Sequence, residues 1–226
     1  MGAPVDRRRS ERRMNRRLLR LIARAYAWAY QRLYHELAWS YDIISWLVSF
    51  GQWDSWRRVA LRYVQGERVL EVAFGTGELL PLLAVKVENA LGLEASAAMH
   101  HIADVKLRRR HVRIPRVQGI AQHLPFADDS LDAIVSTFPA GFILDPRTHS
   151  EFARVLRPGG RVVVVDVQVN AQNPLLRAFY SIVFPPNKES AQRYADVIQT
   201  GKLRHARHRH GQGPVQVVVT LLEKDA

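Results

Sequence analysis

The chain has 226 residues, 47% of them hydrophobic and 24% charged, with no cysteine and a formal net charge of +12. That length accommodates one α/β domain with a modest extension and is too short for two ordinary catalytic domains. The composition is that of a globular protein able to bury a core, and the lack of cysteine excludes disulfides, thiolate zinc sites and cysteine nucleophiles.

The charge is not spread evenly. Residues 1–24 hold nine arginines against Asp6 and Glu11, a net of +7, and Lys202, Arg204, Arg207 and Arg209 add four more. A nucleic-acid channel would carry basic residues throughout the domain, so this distribution speaks against a nucleic-acid partner and for surface contacts at the chain ends. Between Leu18 and Trp56 the apolar residues are interrupted by Arg24, Arg32, Glu36, Asp42 and Asp54, short of the run of about 20 that a spanning helix needs. Arg20 and Arg24 fall where a signal peptide would have its apolar stretch, which leads to the expectation of a cytoplasmic protein.

Taken in chain order, residues 1–64 read as a basic, aromatic-rich helical extension. Leu19, Ile22, Tyr26, Tyr30, Leu33 and Leu37 recur at helical spacing, and all five tryptophans lie between Trp28 and Trp56. Two compatible readings stand: a helical cap packing on the following domain, or an amphipathic segment docking residues 1–24 on an anionic membrane surface at its inner face. Residues 65–226 alternate strand and helix. Strands are predicted at 68–72, 90–94, 116–118, 131–136 and 161–167, with helices near 79–85 and 96–110. The turn signal at 211–214 pairs 203–210 with 215–222 as a hairpin. The expected fold is α/β: a doubly wound, mostly parallel Rossmann-like sheet of seven strands with a C-terminal antiparallel hairpin and an N-terminal helical extension.

The most informative segment is Val69-Leu-Glu-Val-Ala-Phe-Gly-Thr-Gly-Glu78. A strand bearing Glu71 runs into a turn at Gly75 and Gly77, with a helix expected to start near Glu78. Glycines let a backbone approach a ligand closely, and a helix N-terminus offers free N–H groups. Glu94 follows seventeen residues after Gly77, at the end of the second strand, where a carboxylate accepts ribose hydroxyls. A dinucleotide turn would need a third glycine where Leu80 stands, and Glu78 on the first helical turn would repel a pyrophosphate. The turn suits a nucleoside without phosphates, such as S-adenosyl-L-methionine.

Together with this turn, Gly92-Leu-Glu-Ala-Ser96, Ala121-Gln-His-Leu-Pro-Phe126, Ser130-Leu-Asp-Ala-Ile-Val135 and Arg154-Val-Leu-Arg-Pro-Gly-Gly-Arg161 resemble the successive motifs of class I S-adenosylmethionine-dependent methyltransferases. Tyr41-Asp-Ile-Ile-Ser-Trp-Leu-Val-Ser-Phe-Gly51 with Trp56-Arg-Arg58 resembles the ubiquinone/menaquinone biosynthesis C-methyltransferase subgroup, which Ala73 also fits. The resemblance implies cofactor contacts from Glu71, Ala73, Gly75, Thr76 and Gly77 to the methionine moiety, from Glu94 to the ribose, and from Ala95, Ala121 and Gln122 around the adenine. Tyr41 and Asp42 would close the donor site. Two residues depart from the pattern: Ile120 replaces an acid, and Phe74 is bulkier than the usual residue.

Substrate-side residues are expected after the fourth strand, at Thr137, Phe138 and Phe142, because open α/β sheets bind ligands beyond the carboxyl ends of their strands. That apolar loop suits a small lipophilic acceptor, quinone- or lipid-like. His123 is the best-placed titratable side chain, with an exposed loop histidine as its ordinary reading. His205, His208 and His210 alternate with arginines that would repel a metal dication, so no metal site is expected. The other two readings are a catalytically weak binding protein that keeps the methyltransferase fold and a nucleic-acid methyltransferase. Oligomeric state and methylated atom leave no mark in the sequence.

Overall fold

The computed structural model describes residues 38–183, 203–211 and 213–226. A 3₁₀ turn at Ala38–Ser40 leads into α1 (Tyr41–Val48), followed by α2 (Trp53–Arg58) and a second 3₁₀ turn at Val59–Arg62. Then come β1 (Arg68–Val72), α3 (Leu80–Lys86), β2 (Asn89–Glu94), α4 (Ala97–Arg109), β3 (Arg116–Gln118) and β4 (Leu131–Thr137). After a 3₁₀ turn at Gly141–Leu144 the chain forms α5 (Pro146–Val155), β5 (Leu156–Val169), α6 (Pro174–Val183), β6 (Leu203–His210) and β7 (Val215–Lys224).

The seven strands form one sheet in the order β3-β2-β1-β4-β5-β7-β6. The first five are parallel, and β7 runs antiparallel to both β5 and β6. This is the expected doubly wound architecture with its C-terminal hairpin. Strand periodicity sorts side chains between two cores on opposite faces. Val69, Ala133, Val135, Val163, Val165 and Val219 join one, with Leu83, Ala103 and Leu107 from α3 and α4. Leu70, Val72, Ile134, Val162 and Val164 join the other, with Phe152 and Val155 from α5. Sheets covered on both faces use such near-continuous apolar strands. Capping sets two helix starts: Ser96 Oγ accepts the Met99 N–H ahead of α4, and Asp145 accepts the Arg147 N–H ahead of α5.

The N-terminal region differs from the expected uninterrupted helix. Within the described residues it breaks at 49–52, where Phe50 (φ 51°) and Gly51 (φ 79°) adopt left-handed backbone. Ser49 Oγ then accepts the Trp53 N–H at 2.9 Å and restarts the helix. The apolar stripe from Leu19 to Leu37, Trp28 and the arginines of 1–24 lie outside the described residues. Trp56, Ala60 and Val64 are buried in the first core beside Leu83 and Val163, so this end of the extension is packed into the α/β core. The fifth strand also starts earlier than expected, at Leu156, because Arg157 to Gly160 form an irregularity between the pairs Leu131↔Leu156 and Ala133↔Arg161.

At the edge of the sheet away from the strands' carboxyl ends, Asp132 ties β4 to β1. Its Oδ2 accepts the N–H groups of Glu67 and Arg68 at 2.9 and 2.8 Å, and Oδ1 accepts Arg157 Nη1 at 2.7 Å. Despite partial burial, these donors hold its carboxyl below the ordinary value of 3.8. Asp132→Ala is expected to lower stability by about 1–2 kcal/mol in urea denaturation at neutral pH. The depressed pKa means this contribution is present above the unfolded-state value and lost as the pH falls through the folded-state one, so the difference between variant and wild type shrinks in acid.

Candidate active site

The topological switch lies between β1 and β4, where the chain leaves β3 at one edge and returns beside β1. A cavity of about 280 Å³ opens there at the carboxyl ends of the strands. Tyr41, Glu71, Ala73, Gly75, Thr76, Glu94, Ala95, Ala121, Gln122, Thr137, Phe138 and Phe142 all line it. The predicted residues that do not are Asp42, Gly77 and His123. Gly77 (φ 77°) instead gives α4 room, since a Cβ there would stand 2.8 Å from Ala103 Cβ. His123 is exposed on the loop after Ala121, near Glu151, and is not brought into the cavity.

The glycine turn is held from below by one carboxylate. Glu94 is buried at the end of β2, where Oε2 accepts the Gly75 N–H at 2.9 Å and Oε1 accepts the Ser96 N–H at 2.8 Å. Two backbone donors thus fix the carboxylate plane beside the cavity, and each oxygen keeps a second lone-pair direction. A Cβ on Gly75 would meet nothing within 4 Å, so the turn presents open space over the cavity.

Ala73 takes φ 58°, and an alanine in left-handed backbone costs about 1 kcal/mol, which a glycine there would not. Phe74 fits because the residue beside it on β2 is Gly92. A Cβ at position 92 would lie 2.8 Å from Phe74 Cδ1, and the ring packs edge-on against His100 at 5.1 Å. The turn therefore keeps its path despite the bulky side chain.

The N-terminal helices close one side. Asp42 Oδ1 accepts Thr76 Oγ1–H at 2.7 Å, and its other oxygen accepts Lys106 Nζ. Lys106 also donates to Glu78 at 2.8 Å, and Arg110 to the same carboxylate at 2.7 Å. This chain of ion pairs latches α1 to the glycine turn and to α4. Glu78 lies ahead of α3, which starts only at Leu80, and both its oxygens are paired, contrary to the expectation of a bare charge on the first helical turn. The argument from Glu78 against a pyrophosphate therefore falls. The missing third glycine at Leu80 still stands against a dinucleotide turn.

The sequence did not point to two wall residues, Trp53 and Arg57, or to Asp145 beside the wall residue Gln122. Trp53 stacks on Phe138 with ring centroids 4.2 Å apart, making an aromatic wall on the substrate side. Arg57 reaches the cavity from α2, and its buried Nε has no hydrogen bond, with Asp54 Oδ1 the nearest carboxylate at 3.7 Å. The Trp56-Arg57-Arg58 run was the available signal, but nothing in it says which arginine turns inward. Asp145, the cap of α5, accepts Gln122 Nε2 at 3.4 Å and supplies a carboxylate near the adenine segment, where Ile120 replaces the expected acid.

Glu71 is the most unusual group. It points from β1 into the cavity wall, is buried, and its Oε2 has no hydrogen-bond partner. Desolvation pushes its carboxyl from 4.5 up to about 8; Arg57 opposes the rise and Glu94 adds to it. A buried acid and a half-buried guanidinium with a buried Nε, both incompletely paired, face one hollow. That arrangement fits an amino-acid zwitterion, whose ammonium needs an anion and whose carboxylate needs a cation. The residues present therefore fit the donor molecule suggested by the glycine turn.

The profile of the ubiE/COQ5 methyltransferase family matches residues 24–187. The chain belongs to that family. It is 33% identical over 154 residues to the ubiquinone/menaquinone biosynthesis C-methyltransferase UbiE of Syntrophotalea carbinolica, covering 66% of this chain and 65% of that one. It is 33% identical over 162 residues to the demethylmenaquinone methyltransferase of Chlorobaculum parvum, covering 67% and 65%. The chain thus spans slightly less than two thirds of the length of these relatives. Among solved structures, the YcgJ protein from Bacillus subtilis shares the fold with a TM-score of 0.57 and 17% identity, covering 74% of this chain and 97% of that one.

The unpartnered Glu71 carboxyl has a measurable cost for a ubiE/COQ5-family fold of this kind. Below its unfolded value of 4.5 the proton is bound in both states; between 4.5 and about 8 the folded chain holds a proton that the unfolded chain has lost. Stability is therefore expected to fall with rising pH across that window, at up to about 1.4 kcal/mol per unit. Glu71→Gln, which is isosteric and neutral, should flatten this slope in urea denaturation between pH 5 and pH 8 and be more stable than wild type at the upper end.

Proposed function

We propose that this chain binds S-adenosyl-L-methionine in the cavity at the β1–β4 switch and uses it to methylate a small lipophilic acceptor, quinone- or lipid-like. The observation that carries the reading is the pairing of an unpartnered buried Glu71 with a Glu94-anchored glycine turn in one hollow, in a chain of this family. When bound, the donor supplies an electrophilic methyl group on a positively charged sulfur.

The chain's own residues do the positioning. Glu71 meets the ammonium of the amino-acid tail and Arg57 its carboxylate, each completing a pairing that burial leaves open. Glu94 accepts ribose hydroxyls on the lone pairs not used by Gly75 and Ser96. Ala95, Ala121 and Gln122 border the adenine, with Ile120 offering an apolar edge in place of an acid. Thr76, held by Asp42, keeps the turn in register with α1, so Tyr41 covers the hollow and excludes water. Methyl transfer from a sulfonium removes charge, so alignment of donor and acceptor contributes more than charge stabilisation.

The Trp53–Phe138 stack and Phe142 form the acceptor side. Flat aromatic surfaces without a carboxylate favour an uncharged, planar or aliphatic acceptor over a polar one. The names of the two relatives support a quinone-type acceptor; the apolar wall supports the same class independently. A general base is needed only if the attacking atom carries a proton, and no described histidine stands in the cavity to serve as one. A nucleic-acid acceptor has weaker support, since Trp53, Phe138 and Phe142 dominate the described substrate-side lining.

Isothermal calorimetry tests the reading. Glu94→Ala is expected to weaken S-adenosyl-L-methionine binding by about 2 kcal/mol or more, roughly thirtyfold, with thermal unfolding as the control for the lost turn anchor. Since Glu71 must release its proton to face a cation, wild-type affinity should rise with pH up to about 8. Glu71→Gln should bind more weakly and show a flatter rise. No binding by the wild-type chain, or equal binding by Glu94→Ala, would remove the methyltransferase reading and leave a fold-sharing binding protein.

A further inference from the structure

Helix α1 is inside out. Its buried position is Ser45 (5% exposed), with the capping Ser49 (0%) just after it, whereas Trp46 (61%), Leu47 (56%) and Phe50 just beyond it (63%) face outward. A helix on the surface of a water-surrounded domain has the opposite polarity. Trp39, immediately before the helix, is also exposed. The Phe50 ring meets Phe179 of α6 at 5.9 Å, and α6 exposes Leu175 as well, so two helices share one apolar face. Isolated surface hydrophobics are ordinary, but a contiguous aromatic-rich face marks an interaction surface.

Both helices join the end of the sheet where the cavity opens. Tyr41, the first residue of α1, lines the cavity, and α6 follows the carboxyl end of β5 after only residues 170–173. Among the described residues no helix is long and apolar enough to cross a membrane.

We propose that the α1–α6 face docks on an anionic lipid bilayer, with its rings at headgroup depth and the cavity mouth turned toward the membrane. Charge favours this partner. The only acidic residue on the two helices is Asp42, and it is turned inward onto Thr76 and Lys106, leaving no carboxylate on the face to repel phosphate. Arg177 is exposed on α6, and the segment 1–24, with its net charge of +7, precedes the face in the chain. Cationic residues flanking an aromatic and aliphatic face are the makeup of a surface-bound, non-spanning element. The inference rests on the proposed function in one respect: a lipophilic acceptor dissolved in the bilayer would reach the cavity without crossing water.

The test is flotation of the full chain with vesicles of phosphatidylcholine containing about one third phosphatidylglycerol, compared with phosphatidylcholine alone. The wild-type chain is expected to float with the anionic vesicles and much less with the neutral ones. The double variant Trp46→Ser, Leu47→Ser should partition at least about tenfold less, and Leu175→Ser, on the other helix, about threefold less. Neither lines the cavity, so S-adenosyl-L-methionine binding should be unchanged in both. Equal flotation by wild type and both variants overturns the proposal. So does a wild-type dimer in sedimentation that the variants dissociate without lipid, which would assign the face to a second copy. A chain that binds S-adenosyl-L-methionine but does not float overturns the docking alone; one that floats without binding it overturns the proposed function alone.

Discussion

The geometry of the site depends on a buried carboxylate that serves the backbone. Glu94 accepts N–H groups from both Gly75 and Ser96, and so ties together the turn after β1, the end of β2 and the start of α4, beyond the strand pairing that already runs to Val72 and Leu93. Backbone N–H groups at a tight turn and at a helix start are orphans unless something accepts from them. Supplying one acceptor to both fixes the turn without filling the hollow above it. The side chains of Tyr41, Thr76, Phe138 and Gln122 then converge on a space whose floor is already determined.

Glu71 shows the other side of such a design. A buried acid with one unpaired oxygen is a poor element of a resting fold, and Arg57 offsets the burden only in part. The fold retains it where the proposed donor would present its ammonium, as expected when stability is given up locally for recognition. The ion-pair chain Asp42–Lys106–Glu78–Arg110 has the opposite character: every member is satisfied, and its effect is to bind the N-terminal helices to the nucleotide side.

Much of this was legible in the sequence, and for identifiable reasons. The runs Val69–Val72, Ala133–Val135 and Arg161–Val167 are short, rich in β-branched residues and bounded by turn signals, which specifies buried strands. The Gly211–Pro214 turn between alternating segments specifies the hairpin. The roles of Glu71, Gly75 and Glu94 as neighbours around one turn followed from strand ends and spacing. What could not be read was anything set by tertiary contact. The break at Phe50 and Gly51 is the exception, a local helix end in which the Gly51 N–H donates back to the Trp46 carbonyl at 2.8 Å, and the glycine itself was its signal. The start of α3 at Leu80 moved Glu78 out of the helix and into a salt-bridge network with residues some thirty positions away. Arg57 and Trp53 turn into the cavity while Arg58 pairs with Asp54, a choice that depends on how α2 lies on the sheet. His123, attractive for its place beside Ala121, is directed outward by the loop that carries it.

Phe74 and Gly92 are joined by more than contact. The space left by a missing side chain on β2 is filled by the ring, so neither position is free to vary while the other stays as it is. Enlarging residue 92 alone would drive the ring toward the donor hollow; shrinking residue 74 alone would open a void behind the turn. Descendants of this sequence should therefore exchange the two together or not at all, and a library aimed at reshaping the loop has to randomise both positions in the same clone.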